Sequence, residues 1–325
     1  MSSRRDFLTT ASLAAAGFAL APLAACSQDR PASAAPAAAP PATPPAPAAQ
    51  AGPLITRTIP ATGESIPAIG MGTSGSFQVE PGSAEYDALK QVLQTFFDGG
   101  GTLIDTSPNY GNADTVLGEL LAEGGHRDKC FLATKIAADD RASAEAQWAE
   151  SLRRLKTDKV ELLQVHNLRA WEIQLPYARE LKEQGLTKYV GLTHFVDNAH
   201  EELADLMRRE KPDFVQINYA VGAPAAARTV FPVAQELGIA VLVNRAFNDG
   251  KLFAQVADRP LPGWAADVGV DSWAQMFLKF AISHPAVTAV IPATGKPHRQ
   301  ADNLKGGVGA LLSQAQQDEL TAMFA

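Results

Sequence analysis

Short apolar runs alternate with longer amphipathic segments from about residue 54 to the end of the chain. The apolar runs have the length of buried strands, whereas the segments between them carry apolar residues at helical spacing. We predict eight strands: Ala68–Gly72, Thr102–Thr106, Phe131–Lys135, Val160–His166, Tyr189–Thr193, Phe214–Asn218, Ala240–Asn244 and Thr288–Pro292. We predict helices near residues 85–98, 113–123, 142–155, 173–184, 198–209, 226–237 and 271–283.

This alternation predicts an α/β fold, a (β/α)8 TIM barrel preceded by a short N-terminal β-hairpin. The hairpin consists of Ile55–Ile59 and Ser65–Pro67, joined by a turn at Thr62-Gly63. The competing fold is a doubly wound open sheet, which usually carries a glycine fingerprint after its first strand. No such fingerprint follows Ala68–Gly72, and Gly99–Gly101 precedes a strand, as expected of glycines that end a helix.

The N-terminal residues have the features of a signal peptide, which we place at residues 1–25. Arg4 and Arg5 form a charged region, and a mostly apolar stretch follows from Phe7 to Ala25. The arginine pair followed by Phe7-Leu8 resembles a twin-arginine (Tat) signal. An ordinary Sec signal with two chance arginines is the alternative.

The end of this apolar stretch, Leu23-Ala24-Ala25-Cys26, resembles a bacterial lipobox. The resemblance implies that Cys26 becomes the lipidated first residue of the mature protein; a plain cleavage site with an incidental cysteine is the alternative. Residues 31–53 contain 8 Pro, 11 Ala and no charged residue. Such a segment cannot bury a core, so we predict a disordered linker over 26–53. Together these features predict export by the Tat machinery and a lipid anchor on the periplasmic face of the envelope.

Charge and cysteine content exclude several classes of partner. The net charge is −7, which argues against binding to a nucleic-acid backbone. Two cysteines cannot build a disulfide framework or a structural zinc site on their own, and Cys130 lies in an apolar run typical of a buried thiol. No apolar run outside the N-terminus is long enough to span a bilayer. We therefore expect contact with a membrane only through Cys26.

Ionisable side chains follow three neighbouring predicted strands. Asp105, Lys135 and His166 lie at the ends of the second, third and fourth strands, and Tyr110 lies in the loop after the second. The carboxyl ends of barrel strands form the active site in this fold, so the four side chains should converge. Taken singly, they are interpreted as a loop cap, a strand-end lysine, a structural histidine and a packed turn aromatic.

Together the four residues suggest proton-transfer chemistry. A buried Lys135 needs a partner such as Asp105. The lysine cation favours the phenolate and should lower the pKa of Tyr110, which would make the tyrosine a proton donor near neutral pH. His166 beside it can orient a carbonyl oxygen.

The segment Gly100–Gly111, with the sequence GGTLIDTSPNYG, closely resembles the signature of the aldo-keto reductase family. The resemblance continues along the chain in Ala133–Lys135, Leu163–Asn167, Val190–Thr193, Val215–Tyr219 and Ile291–Thr294. It covers essentially the whole chain from about residue 55, so residues 54–325 are identified as an aldo-keto reductase-like barrel.

The resemblance implies transfer of a hydride between NADPH and an aldehyde or ketone, or the corresponding alcohol, without a metal ion. Tyr110 matches the family's general acid/base, and Lys135 matches the lysine that lowers the pKa of that tyrosine. Asp105 matches the aspartate that holds the lysine. His166 matches the histidine that polarises and orients the carbonyl.

The resemblance also implies residues that bind NADP. Thr193, His194 and Gln216 match those that hold the nicotinamide carboxamide, although many relatives have Ser-Asn at the first two positions. The nucleotide end matches at the 2′-phosphate (Thr294, Arg299) and the adenine (Asp302, Asn303). Lys296 precedes a helix that opens at Pro297, and a basic helix start is a site for anions. Many relatives stack a tyrosine on the nicotinamide after strand seven; here Arg245 is predicted to meet the pyrophosphate instead.

Two other functions stay open at this point. The barrel can be a redox-silent scaffolding or binding lipoprotein, because fold does not fix function. A glycosidase needs two facing carboxylates, and only Asp105 qualifies on strands two to four. Substrate choice should depend on loops 73–85, with Phe77, and 247–268, with Phe247, Phe253 and Trp264; aromatic lining would suit an apolar or aromatic carbonyl.

Overall fold

The computed structural model describes residues 52–324, which contain ten strands and ten α-helices. The predicted signal peptide, Cys26 and nearly all of the predicted linker lie outside these residues. The strands are β1 (Thr56–Thr58), β2 (Ser65–Pro67), β3 (Met71–Gly72), β4 (Leu103–Asp105), β5 (Phe131–Ile136), β6 (Val160–Val165), β7 (Thr187–Thr193), β8 (Phe214–Asn218), β9 (Ala240–Asn244) and β10 (Val287–Val290). The helices are α1 (Ala84–Asp98), α2 (Ala113–Glu123), α3 (Arg141–Leu155), α4 (Trp171–Glu183), α5 (His200–Glu210), α6 (Ala226–Leu237), α7 (Lys251–Gln255), α8 (Trp273–Ser283), α9 (Pro297–Lys305) and α10 (Gln314–Met323).

Strands β3 to β10 form one parallel sheet in chain order. Parallel bridges from Ile69 to Val290 and from Gly72 to Ala293 join its two edges, so that the sheet closes into a barrel. The prediction of a (β/α)8 barrel with an N-terminal hairpin is confirmed, and all eight predicted barrel strands are present. Two helices, α7 and α10, are additional to those predicted.

The hairpin β1–β2 covers one end of the barrel. Its Ile59 and Ile66 pack with interior residues of strands β4 to β10, among them a stacked aromatic pair, Phe131 and Tyr189, with ring centroids 5.8 Å apart. The Tyr189 hydroxyl lies 2.7 Å from Glu64 Oε2 in the hairpin. Because this end is filled, the carboxyl ends of the strands remain for a functional site.

One further feature matches the expected core. Cys130 is buried, as predicted, and burial raises the pKa of its thiol, so the thiol is unreactive. Within residues 52–324 no helix is long and apolar enough to cross a membrane.

Candidate active site

Asp105 and Lys135 form a buried ion pair at the carboxyl ends of β4 and β5. Lys135 Nζ lies 2.6 Å from Asp105 Oδ2 and donates a second hydrogen bond of 2.8 Å to the carbonyl of Thr106. Both side chains are almost completely buried. Burial alone would lower the pKa of Lys135, but Asp105 and then Tyr110 raise it by more, and the resulting pKa lies above its usual value. The lysine is therefore a cation at neutral pH.

A chain of three side-chain amides, two of them buried and the third half-buried, extends from the second oxygen of Asp105. Gln164 Nε2 and Gln216 Nε2 each donate to Asp105 Oδ1 at 2.9 Å. Asn244 Nδ2 donates in turn to Gln216 Oε1 at 3.3 Å. A carboxylate only accepts hydrogen bonds, so its charge fixes the orientation of each amide in the chain. Gln164 and Asn244 were not predicted as site residues, although Gln164 lies in the segment Leu163–Asn167 that carries the family resemblance.

Tyr110 lies beside this ion pair, in the loop after β4. Lys135 Nζ lies 5.3 Å from the centroid of its ring, and the ring meets His166 edge to face with centroids 6.0 Å apart. Burial raises the pKa of Tyr110, and the lysine cation offsets this only in part. The expectation of a lowered pKa is therefore wrong, because desolvation of the phenolate outweighs the attraction of Lys135.

His166 follows β6 directly, in a short 3-10 turn. Burial, followed by the charge of Lys135, lowers the pKa of His166 to about 3, so the imidazole is neutral at physiological pH. Its Nδ1 lies 3.1 Å from the hydroxyl oxygen of Ser107, a residue that was not predicted as part of the site.

One cavity of about 1230 Å³ opens at this end of the barrel and brings most of the predicted residues together. Asp105, Tyr110 and His166 line it, and Lys135 lies directly behind Tyr110. The predicted cofactor residues that line it are Thr193, His194, Gln216, Arg245, Thr294, Arg299, Asp302 and Asn303. Lys296, just before α9, is exposed and is not one of the residues that line the cavity. Among residues 52–324, no group of three or more His, Cys, Asp or Glu side chains is placed to bind a metal ion.

The residues predicted to hold the carboxamide differ in whether their hydrogen-bonding groups already have partners within the protein. Thr193 Oγ1 donates to the carbonyl of Val165 at 3.1 Å and accepts from the Asn167 amide at 3.0 Å, so its hydroxyl proton is already engaged. His194 Nδ1 accepts from the Phe195 amide at 3.0 Å, which leaves its other ring nitrogen for a ligand. Asn167 lines the cavity with a left-handed backbone (φ 55°) and was missed from the sequence.

Arg245 is held in place at the rim. Its guanidinium donates to the carbonyl of Phe195 at 3.1 Å, stacks on the ring of that residue and pairs with Asp249 at 3.0 Å. Its backbone is left-handed (φ 54°), a conformation that L-residues rarely adopt. These contacts fix a cation at the cavity, as a site for a pyrophosphate requires.

The part of the cavity beside α9 has side chains suited to binding a nucleotide. The N-terminus of α9 faces it together with the guanidinium of Arg299, a combination that attracts a phosphate. Asn303 lines the cavity and is 3 % exposed. An asparagine amide can pair with both the amino group and the N7 atom of adenine. Asp302 accepts from Ser272 Oγ at 2.8 Å and Gln275 Nε2 at 2.6 Å, so it also ties α9 to the start of α8.

The aromatic residues predicted to line the substrate loops divide into two groups. Phe247 and Phe253 line the cavity. Phe77 is fully buried in the core, so the expectation that it lines the mouth is wrong. Trp264 donates from its indole to Glu319 at 2.9 Å and does not line the cavity.

Residues 68–323 match the model of the aldo/keto reductase family, and the chain belongs to this family. Similar proteins include the aldo-keto reductase YhdN of Bacillus subtilis, 28% identical over 213 residues that cover 61% of this chain and 63% of that protein. The aldo-keto reductase ausK of Emericella nidulans is 24% identical over 54% of this chain, which spans only 50% of that protein. The methylglyoxal reductase DkgB of Yersinia pestis is 29% identical over 254 residues, 74% of this chain and 86% of that protein.

Solved structures share the fold. An aldo/keto reductase from Klebsiella pneumoniae in complex with NADP and acetate superposes with a TM-score of 0.69 at 22% identity, over 81% of this chain and 93% of that chain. The aldo-keto reductase AKR11C1 from Bacillus halodurans, in its holo form, gives a TM-score of 0.68 at 19% identity, over 84% of this chain and 97% of that chain.

Proposed function

We propose that the protein is an NADP-dependent oxidoreductase that transfers a hydride between nicotinamide and an aldehyde or ketone, with Tyr110 as general acid/base. The observation that carries the proposal is the convergence of Tyr110, His166 and the Asp105–Lys135 pair on one cavity. The same cavity is lined by Arg299 and Asn303, whose side chains suit the phosphate and the adenine of a nucleotide. The methylglyoxal reductase and the NADP complex among the similar proteins support it.

When bound, NADPH supplies the hydride, and the residues of the chain do the rest. The neutral His166 and Tyr110 both line the cavity, and each can donate a hydrogen bond to a carbonyl oxygen bound between them. As the carbonyl carbon is reduced, the oxygen becomes an alkoxide and takes the proton of Tyr110. The phenolate that remains is stabilised by the Lys135 cation, which Asp105 holds 5.3 Å from the ring. In alcohol oxidation the same proton returns to Tyr110.

A fluorescence titration tests nucleotide binding. Trp273 lines the cavity, so binding should change its emission, and a Trp273→Phe variant identifies that signal. Tight binding of NADPH and much weaker binding of NADH would support the proposal and justify a screen of carbonyl substrates. Absence of binding to either nucleotide would favour the redox-silent scaffold.

The proposal includes Tat export and lipidation at Cys26, supported by Arg4-Arg5 before Phe7-Leu8 and by Leu23–Cys26. The Tat route moves folded proteins, so the domain can leave the cytoplasm with nucleotide already bound and cycle it between two substrates.

In a Tat-competent bacterium we expect the full chain in the membrane fraction. Changing both arginines to lysine should retain it in the cytoplasm, and Cys26→Ser should release it into the periplasm. Export that is insensitive to the arginines would indicate Sec. Exported protein that releases no nucleotide on denaturation would contradict the bound-cofactor model.

A further inference from the structure

The hydroxyl group of Ser107 is the only side-chain contact that the described residues give to the inner nitrogen of His166. Ser107 is 1 % exposed, and its Oγ lies 3.1 Å from His166 Nδ1. The same oxygen accepts a hydrogen bond of 3.2 Å from the backbone amide of Asn109. Ser107 therefore joins the loop that carries Tyr110 to the histidine that follows β6.

The direction of this hydrogen bond decides which ring nitrogen carries the proton. A hydroxyl group has one donor and two acceptor positions, and a neutral imidazole has one of each. If His166 donated from Nδ1, the Ser107 proton would need another acceptor, and the Ser107 hydroxyl donates to no other group among residues 52–324. A buried hydroxyl proton without an acceptor is costly. If Ser107 donates to Nδ1 instead, the Ser107 proton and the Nδ1 lone pair both have a partner, and the proton of His166 sits on Nε2.

We propose that Ser107 is a positioning residue that holds His166 in the tautomer protonated at Nε2, so that the imidazole can only donate to a ligand in the cavity. The inference rests on the proposed function for its catalytic meaning. His166 lines the cavity, and its Nε2 has no partner in the described part of the protein. An Nε2–H there gives the carbonyl oxygen a second donor beside Tyr110. The opposite tautomer would present a lone pair and repel that oxygen.

The tautomer can be measured directly, without substrate or cofactor. We would record long-range ¹H–¹⁵N spectra of the full chain with ¹⁵N-labelled histidine and assign His166 from the spectrum of His166→Gln. The protonated and unprotonated ring nitrogens of a neutral histidine differ in ¹⁵N chemical shift, so the spectrum shows which nitrogen carries the proton. The inference predicts one species with the proton on Nε2. A proton on Nδ1 would overturn it, whatever the enzyme does with carbonyls.

Two substitutions then test the role of the hydroxyl. Ser107→Ala removes the donor, and we expect a mixture of both tautomers, a kcat lower by about ten- to hundredfold and an unchanged NADPH Kd. Ser107→Thr keeps a hydroxyl and should retain the Nε2–H species and most of the rate. A Ser107→Ala enzyme with a pure Nε2–H histidine and wild-type kcat would overturn the inference. If the protein reduces no carbonyl, the spectra of wild type and Ser107→Ala still decide the tautomer, so failure of the proposed function is recognised separately.

Discussion

Lys135 Nζ lies 2.6 Å from Asp105 Oδ2, and neither side chain is more than 3 % exposed. Each of these charges is stable in the interior only because the other is present. The Asp105 carboxylate also accepts from Gln164 and Gln216. One carboxylate thus holds the lysine behind Tyr110 and orients the amides in the wall of the cavity.

Replacing Asp105 with asparagine should destabilise the protein strongly. Asp105→Asn leaves Lys135 buried without a counter-charge and turns an acceptor of the amide chain into a group that also donates. We expect the free energy of unfolding, measured by urea denaturation, to fall by about 3–5 kcal/mol. The double variant Asp105→Asn with Lys135→Met removes both charges and should recover part of that loss. A single variant within about 1 kcal/mol of wild type would show that water or another group compensates the lysine.

The neutral state of His166 should make stability depend on pH. Its folded pKa is about 3, below the ordinary value of 6.5, so between these values the unfolded chain binds more protons. The stability from this residue is therefore complete above pH 6.5 and is lost as the pH falls towards 3. At pH 5 the loss amounts to about 2 kcal/mol. His166→Gln lacks this titration, whereas the other histidines contribute alike to both proteins.

Denaturation at pH 8 and pH 5 checks this expectation. The drop in unfolding free energy between the two conditions should be larger in wild type than in His166→Gln by about 2 kcal/mol. Equal drops in the two proteins would mean that His166 titrates near its ordinary pKa, and that solvent reaches the imidazole.

The barrel and the four central residues are predictable because they depend on position along the chain. Strand ends are visible in the alternation of apolar and amphipathic segments, and neighbouring strands bring Asp105, Lys135 and His166 to one edge. The helix that begins at Pro297 is visible in the same way. These predictions need no knowledge of side-chain direction.

The features that the sequence analysis missed depend on the direction of side chains and on the balance between burial and charge. Lys296 and Arg299 are three residues apart, yet only Arg299 lines the cavity, and a helix start does not reveal which face a side chain takes. An apolar residue such as Phe77 suits both the core and the mouth of the barrel, so its residue type does not predict its position. The pKa of Tyr110 depends on whether burial or Lys135 has the larger effect, and this needs the geometry. Ser107 matters only through the distance from its hydroxyl to His166.

Removing the hydroxyl of Tyr110 should abolish catalysis and spare binding. Tyr110→Phe keeps the ring on which the packing against His166 depends, but it has no proton for the alkoxide. We expect kcat to fall by about 10²- to 10⁴-fold, with the NADPH Kd unchanged. Tyr86→Phe is the matched control, because the Tyr86 hydroxyl bonds to Glu123 on the outside of the barrel. Comparable activity in the two variants would exclude Tyr110 as the proton donor.

Arg299 and Lys296 offer a paired test of how the chain selects NADP over NAD. Both are exposed cations at the start of α9, but only Arg299 lines the cavity. If its guanidinium meets the 2′-phosphate, Arg299→Ala loses a charged hydrogen bond of about 1.5–3 kcal/mol. The NADPH Kd should then rise by roughly ten- to hundredfold, whereas the NADH Kd should hardly change.

Lys296→Ala removes the same charge from the same helix turn and should leave both constants within about twofold, since a surface charge contributes little. Fluorescence titrations of the three proteins with both nucleotides measure this difference. Equal losses of NADPH affinity in the two variants would show that the helix start acts through its overall charge, and that the direction of the Arg299 side chain is irrelevant.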